Sequence, residues 1–385
     1  MSVGGTSLDY PGLFASMSET SSVRLPRTRL ALTIASLVAV AAACSSSASG
    51  STASTSFSTI APTTSTTTTV AKTTTTVAET TTTEEVTTTT AAPAPVYPLT
   101  GLPAVDPAIA GRPALVVKID NASGARPQTG FNAADIVFEE IVNDNLTRFA
   151  LVFQSGGSDP VGPIRSGRLQ DIDLFSAYGH PLFAWSGGNR TVTDAIHQSA
   201  LIDVGPNFAR VYYRSGDRSA PHNLYSNTSA LYTMTPFGAG PPQQQFKYRS
   251  PGEPVGGIPA HGVGIALDSI NAEWEWDPAI GLYMRTMEGR PHNDAGSGRI
   301  STDNVIVLGV DYAPGVSGSP DAQTTGSGEA FVFTGGNYIH GTWSRNDIHD
   351  PFALVADDGN IIQLQPGRTF IELPRLDSTL PFGPA

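Results

Sequence analysis

Within seven residues, Gly162-Pro163-Ile164-Arg165-Ser166-Gly167-Arg168, the chain sets two arginines and a serine among glycine and proline, soon after an apolar run. Glycine and proline favour a tight, exposed turn, and such turns between regular elements are where binding groups collect. Guanidinium groups make forked, charge-assisted hydrogen bonds to carboxylate or phosphate, so the stretch is expected to rim an anion site. Arg126, Arg148, Arg214 and Arg218 stand in other segments, mostly near Gly, Pro or Ser. His222 follows Pro221 and precedes Asn223, a setting that holds an imidazole rigidly. The candidate ligand-binding set is Arg126, Arg148, Arg165, Ser166, Arg168, His222 and Asn223. The competing role for each arginine is an internal ion pair with Asp135, Glu139, Glu140 or Asp171 that braces a long loop.

The catalytic options are narrower, and no catalytic residue is assigned. A general base at His222 needs a water or a nucleophile within reach. Ser166 lacks the Gly-x-Ser-x-Gly surroundings of a nucleophile elbow, and a His222 buried against backbone is the structural alternative. Glu139 and Glu140 point to opposite faces of a strand, so at most one enters any given cleft. A glycosidase would need a second carboxylate opposite it. The seven histidines show no paired ligand spacing, so no metal and no cofactor are expected. The tripeptide Pro291-His292-Asn293 repeats Pro221-His222-Asn223 in different surroundings and reads as turn chemistry rather than a repeat. Trp274 and Trp276 share one strand face, with Tyr283 across the turn. Such a face can stack on sugars or fill a core.

The elements that must position these residues follow from periodicity. Apolar, β-branched runs predict strands over 113–120, 135–142, 147–154 and 181–186, with the candidate rim between the third of these and a helix. That helix, over 169–178, sets Leu169, Ile172 and Phe175 on one face with Asp171 and Asp173 off it, and backbone amides at its start would add to the attraction for an anion. A second short helix covers 191–200. Residues 97–235 therefore read as a mixed α/β domain and 236–260, rich in Pro and Gln, as a hinge. Residues 261–376 read as a β-rich domain of successive strands and hairpin turns, and 377–385 as a tail. The fold class is α+β.

Upstream the composition changes. Arg24, Arg27 and Arg29 precede an uncharged run over 30–43, and Ala41-Ala42-Ala43-Cys44 closes it with small residues. This is the layout of a secretory signal, and it resembles a lipoprotein lipobox. Residues 1–44 are read as leader and signal peptide, with Met1 or Met17 as start. Cys44 becomes the lipid-modified (palmitate-bearing) first residue. The uncharged run falls short of the roughly 20 residues that span a bilayer. Residues 45–96 are mostly Ser, Thr and Ala, with too few apolar side chains for a core, and are read as a disordered tether. The formal net charge of −12 disfavours a nucleic-acid partner.

Several further stretches accompany these motifs: Pro98-Leu99-Thr100-Gly101-Leu102, Arg126-Pro127-Gln128-Thr129-Gly130, Thr147-Arg148-Phe149, Ala220-Pro221-His222-Asn223-Leu224-Tyr225, Gly341-Thr342-Trp343 and Pro366-Gly367-Arg368-Thr369-Phe370. Together they resemble the YerB-like family of bacterial lipoproteins, which is defined by two adjacent domains of unknown function. The resemblance covers nearly everything after the tether. Asn143-Asp144-Asn145 and Phe370 depart from the family's usual residues. It implies a lipoprotein held on the outer face of the bacterial membrane through Cys44, and no settled activity. The expected function is a non-catalytic module binding an anionic cell-wall or protein ligand. The alternatives are a hydrolase or transferase acting on wall material, with His222 as base and Glu139 or Ser166 assisting, and a scaffold for wall-synthesis enzymes.

Overall fold

The computed structural model describes residues 21–24, 95–376 and 378–384, giving only backbone for 21–24, 379 and 381–384. Cys44, the rest of the expected signal segment and the expected tether up to residue 94 lie outside the described residues. The first half is built from β1 (Leu115–Asp120), β2 (Ile136–Ile141), β3 (Thr147–Phe153), α1 (Gln170–Phe175), β4 (Leu182–Ala184), α2 (Arg190–Gln198) and β5 (Ile202–Asp203). The second half contributes β6 (Ile258–Leu267), β7 (Ile270–Asp277), β8 (Leu282–Met287), β9 (Asn304–Leu308), β10 (Gly326–Thr334), β11 (Asn337–Arg345), β12 (Ala353–Ala356), β13 (Thr369–Leu373) and β14 (Thr379–Pro384). The chain is α+β and strand-rich, as the periodicity predicts, and its α-helices precede residue 236 among the described residues.

One continuous sheet runs through both halves in the order β12-β11-β10-β9-β13-β2-β3-β1-β4-β5. The join is the parallel pair β13–β2, which sets Glu372 directly beside Glu139. β1, β2 and β3 are buried at every position, as expected of strands covered on both faces. On one face Leu115, Val117, Ile119, Val137 and Leu151 meet the antiparallel meander β6-β7-β8 through Val263, Ile265, Trp274 and Met287. On the other, Val116, Phe138, Ala150 and Phe183 pack with Leu174, Phe175, Val192 and Ile196 of the helices and with Trp343 and Leu354. β14 pairs with β6, and Ser21–Arg24 pairs with β14.

The expected hinge, 236–260, is tied to both halves. Lys247–Tyr248 pairs in parallel with Gln363–Leu364, Tyr248 Oη donates to the Leu99 carbonyl (2.6 Å), and Arg249 Nη1 donates to the Gln363 carbonyl (3.1 Å). One expectation is corrected. In α1 the buried positions are Gln170, Asp171, Leu174 and Phe175, not the stripe through Leu169 and Ile172. Asp171 turns inward because it pairs with Lys118 on the sheet (2.7 Å), and burying an ion pair outweighs the apolar stripe in setting the helix rotation.

Glu139 and Glu140 occupy opposite faces of β2, and both are fully buried. Lys118 of β1 neutralises Glu140 from across β3, on the same face of the sheet. Glu139 is bound by Arg285 of β8, which also lies 3.3 Å from Glu372. Thr147 Oγ1 donates to Glu139 (2.5 Å), and Trp274 Nε1 donates to Glu372 (2.9 Å). Arg285 also donates to His292 Nδ1 (2.8 Å), so the proton sits on Nε2, which donates to Gln128 (3.0 Å). The His292 tripeptide is therefore a core contact between the halves rather than the turn its sequence suggests. Burial, then the neighbouring Glu139 charge, pushes the Glu372 carboxyl up to about 8. Burial, then Arg285, holds the His292 imidazole well below its usual value of 6.5.

These shifts set the sign of two pH effects. The Glu372 value lies above its ordinary 4.5, so its contribution to stability is present below that value and lost as pH rises toward about 8. The His292 value is lowered, so stability is lost as pH falls below 6.5. Urea unfolding of Glu372→Gln should show a flatter decline between about pH 5 and about pH 8 than the wild type. Arg285→Met leaves Glu139 as a buried carboxylate without its cation and should cost about 3–5 kcal/mol in the same measurement. A loss under about 1 kcal/mol would contradict this account.

Candidate functional site

The 162–168 stretch is not the exposed turn that its glycine and proline suggest. Residues 161–164 are buried, and the segment takes over from β4 as the hydrogen-bonded neighbour of the end of β1. Arg165 N donates to the Lys118 carbonyl (2.9 Å), Asp120 N to the Pro163 carbonyl (3.0 Å) and Ile164 N to the Leu224 carbonyl (2.6 Å). Two glycines permit this. A Cβ on Gly162, whose φ is +154°, would lie 2.5 Å from the Tyr225 ring, and one on Gly167 would lie 2.7 Å from Trp185. Only a residue without a side chain lets those rings close over the segment.

The site stands where three strands end. β1, β4 and β5 run parallel, and Asp120, Trp185 to Gly188, and Asp203 to Pro206 lie at or just beyond their carboxyl ends. In open α/β arrangements the crevice outside those ends is where ligands bind. Here an open cleft of about 800 Å³ occupies it, lined by Arg165, Ser166, Trp185, His197, Asp203, Arg210, Tyr212, Tyr213 and Arg214, with Gly187-Gly188 backbone on one side. Asp203, the acidic residue among those lining groups, is already engaged. It accepts from Trp185 Nε1 and Gly205 N (both 2.7 Å) and pairs with His197 Nε2 (2.8 Å). The cleft's three arginines are left without a neutralising carboxylate in its lining.

Arg148 lies beneath this floor. It is 8% exposed, its Nη1 donates to the Ser166 carbonyl (3.1 Å), and its Nε has no hydrogen-bond partner. Among the described residues no carboxylate pairs with it. Burial, then the charges of Arg168 and Arg165, lowers its guanidinium to about 10. Arg165 Nε lies 3.2 Å from Asp120 Oδ2 without the alignment of a hydrogen bond. His222 Nδ1 donates to the same Asp120 oxygen (2.6 Å), and Gly124 sits close under the ring. His222 is therefore bound by a carboxylate and half-buried, rather than buried against backbone.

The other candidates do internal work. Arg168 donates to Ser319 Oγ (3.0 Å), the Gly167 carbonyl (2.9 Å) and Asn143 Oδ1 (2.6 Å), so it clamps three loops from both halves. Arg126 binds Asn121 through its side chain (3.1 Å) and its carbonyl (2.9 Å). Asn223 donates to the Ser215 and Arg218 carbonyls (3.1 and 3.0 Å) and accepts from Arg214 (2.7 Å), which holds Arg214 at the cleft. Arg218 donates to the Gly124 and Pro127 carbonyls (3.4 and 2.5 Å). The start of α1 offers no anion site, because Asp171 already accepts from Arg168 N (2.6 Å). Glu139 lies on the far face of the sheet, and Trp274 and Trp276 pack on Phe370 and Tyr283 rather than forming a sugar platform. Arg210, Asp203 and Trp185 line the cleft but lie outside the candidate set that the sequence yields. The signal for them is their position just past strand ends, legible only once β4 and β5 are known to be parallel to β1.

A sheet shared by two dissimilar halves, with its cleft in the first, defines a two-domain chain, and the sequence divides the same way. Residues 99–237 match the N-terminal domain and 263–371 the C-terminal domain of DUF3048, a family of unknown function, and the chain belongs to it. It is 25% identical over 299 residues to the Bacillus subtilis (strain 168) protein called "Putative lipoprotein YerB", across 73% of this chain and 87% of that one. The crystal structure of the YerB protein from Bacillus subtilis superposes with a TM-score of 0.66 at 22% identity, covering 74% of this chain and 99% of that one. The fold is thus shared with a solved relative. No helix among the described residues is long and apolar enough to cross a membrane.

The geometry separates clamp from site. Arg168→Ala removes three hydrogen bonds from a charged donor and should lower stability by about 2–4 kcal/mol. Arg165→Ala, a quarter exposed and poorly aligned with Asp120, should change stability by less than about 1 kcal/mol. Thermal unfolding of the two variants checks both, and equal losses would contradict the assignment.

Proposed function

We propose that the chain is an envelope lipoprotein whose first half binds an anionic ligand in the cleft at the ends of β1, β4 and β5. One observation carries the reading: Arg165, Arg210 and Arg214 line the cleft while its Asp203 is satisfied internally, and Arg148 lies just beneath without a carboxylate partner. Guanidinium groups that no carboxylate of the cleft lining neutralises favour a ligand that brings its own carboxylate or phosphate. Ser166 and the Gly187-Gly188 backbone add uncharged polar groups to the lining.

The cellular setting rests on two supports. The sequence around Cys44 has the form of a lipidation signal, and a relative over most of the chain is named for a lipoprotein assignment. On this reading Cys44 anchors the protein to the outer face of the membrane, and residues 45–96 act as a tether. On the same reading, anionic wall material is the ligand class in reach.

Calorimetric titration of the full chain with inorganic phosphate tests the cleft. Binding should weaken as salt rises, because the attraction is electrostatic. Arg165→Ala and Arg214→Ala should each weaken it about 10-fold or more, since one charge-assisted hydrogen bond is worth about 1.5–3 kcal/mol. Absence of binding by the wild type, or unchanged affinity in both variants, refutes the assignment. Retention of purified wall fragments by wild type and not by Arg165→Ala extends the result to the envelope ligand.

A further inference from the structure

Beside the cleft, next to its lining residues Arg165 and Pro221, stands a pair that simple anion binding does not require. His222 Nδ1 donates to Asp120 Oδ2 at 2.6 Å, which fixes the imidazole proton on Nδ1 and leaves the lone pair on Nε2. The carboxylate is 4% exposed and the ring 28%, so the orienting group is buried while the imidazole meets solvent. Asp120 accepts also from Ala122 N (3.2 Å), and His222 N donates to the Ser219 carbonyl (3.0 Å). The ring packs on Gly124, where a Cβ would come within 3.2 Å. Three other histidines pair with aspartates, and none shares this arrangement. In His340–Asp357 and His349–Asp347 the carboxylates are 68% and 64% exposed. In His197–Asp203 the carboxylate engages Nε2 and is shared with Trp185 and Gly205.

We propose that the Asp120–His222 pair makes this cleft a hydrolase for phosphodiesters, a further step that rests on the anion-binding reading above. Two features select an anionic diester over a neutral ester. Arg165 stands 3.2 Å from the same Asp120 oxygen and lines the cleft, and Arg148 lies below Ser166 with its Nε unpaired. Two guanidinium groups beside a base suit a substrate that is already charged and gains charge as the nucleophile adds. In the reaction, His222 Nε2 takes a proton from water, and the water oxygen forms a bond to phosphorus. The phosphorus–oxygen bond to the leaving alcohol then breaks, and the alkoxide takes the proton back from Nε2. The products are a phosphomonoester and an alcohol, and His222 is restored. Asp120 holds the tautomer and stabilises the transient imidazolium. Arg165 offsets the charge on the non-bridging oxygens.

The test uses the full chain with bis(4-nitrophenyl) phosphate and follows release of 4-nitrophenolate, alongside calorimetric titration with inorganic phosphate. Wild type should release product above the buffer rate. His222→Gln should lose on the order of 10²–10⁴-fold of that rate while keeping its fold by circular dichroism and its affinity for phosphate within a few-fold. Asp120→Asn should lower the rate and shift the acid limb of its pH profile. Phosphate binding with no release by wild type overturns this inference and leaves the binding reading standing. Release that persists in His222→Gln overturns it equally. Absence of both binding and release overturns both readings.

Discussion

Two consecutive glutamates in a strand buried on both faces impose the constraint on which this structure depends. A buried carboxylate is tolerated only with a counter-charge and hydrogen bonds, and Glu139 and Glu140 of β2 need separate solutions because they point to opposite sides. Glu140 finds Lys118, which also holds Asp171 and thereby sets the rotation of α1. Glu139 finds Arg285, which reaches it from the other half of the chain and also meets Glu372 of the strand paired beside it. The parallel pair β13–β2 therefore brings with it a charge problem that only both halves together can solve. The two halves, of distinct sequence, thus share one sheet and one buried charge cluster.

The candidate site inherits its rigidity from that arrangement. Asp120, Arg148, Glu140 and Lys118 lie along one face of the same three strands, so the groups beneath the cleft are held by the sheet rather than by loops. Arg168 ties the 162–168 segment to loops of both halves, and Asn223 holds Arg214 in place. On the opposite face, Gln128 and Asn121 run from His292 to the end of β1, and Gln128 donates to the Asp120 carbonyl (3.0 Å). The second half thus supports the backbone that carries the Asp120–His222 pair without entering the cleft.

Much of the site's chemistry was legible in residue types. Arg148, Arg165, Ser166 and His222 do gather at one end of the sheet. Arg126, Arg168 and Asn223 bind inside the protein, because a guanidinium or amide in a loop satisfies nearby carbonyls as readily as a ligand, and local sequence carries no trace of which carbonyls come near. The exposed turn read from Gly162 and Pro163 became a buried edge segment for a similar reason. Glycine signals close approach as well as turning, and the rings that approach, Tyr225 and Trp185, are distant in sequence. The turn chemistry that the sequence suggests around His292 misses its partners, Gln128 and Arg285, because they come from different halves.

The sequence by itself determined the strand-rich α+β class, the placing of the buried strands and the division into two family domains. The class and the buried strands follow from local periodicity and composition, which act within a few residues, and the family domains from the resemblance that the motifs carry. Tertiary structure alone decided that the halves share a sheet, and which arginines are clamps and which face solvent in the cleft. It also decided that His222 is oriented by Asp120. Those outcomes rest on charge pairing and burial between residues far apart in the chain, such as Glu139 and Arg285 at 146 positions, and the energy of such pairs depends on distance in space rather than along the chain.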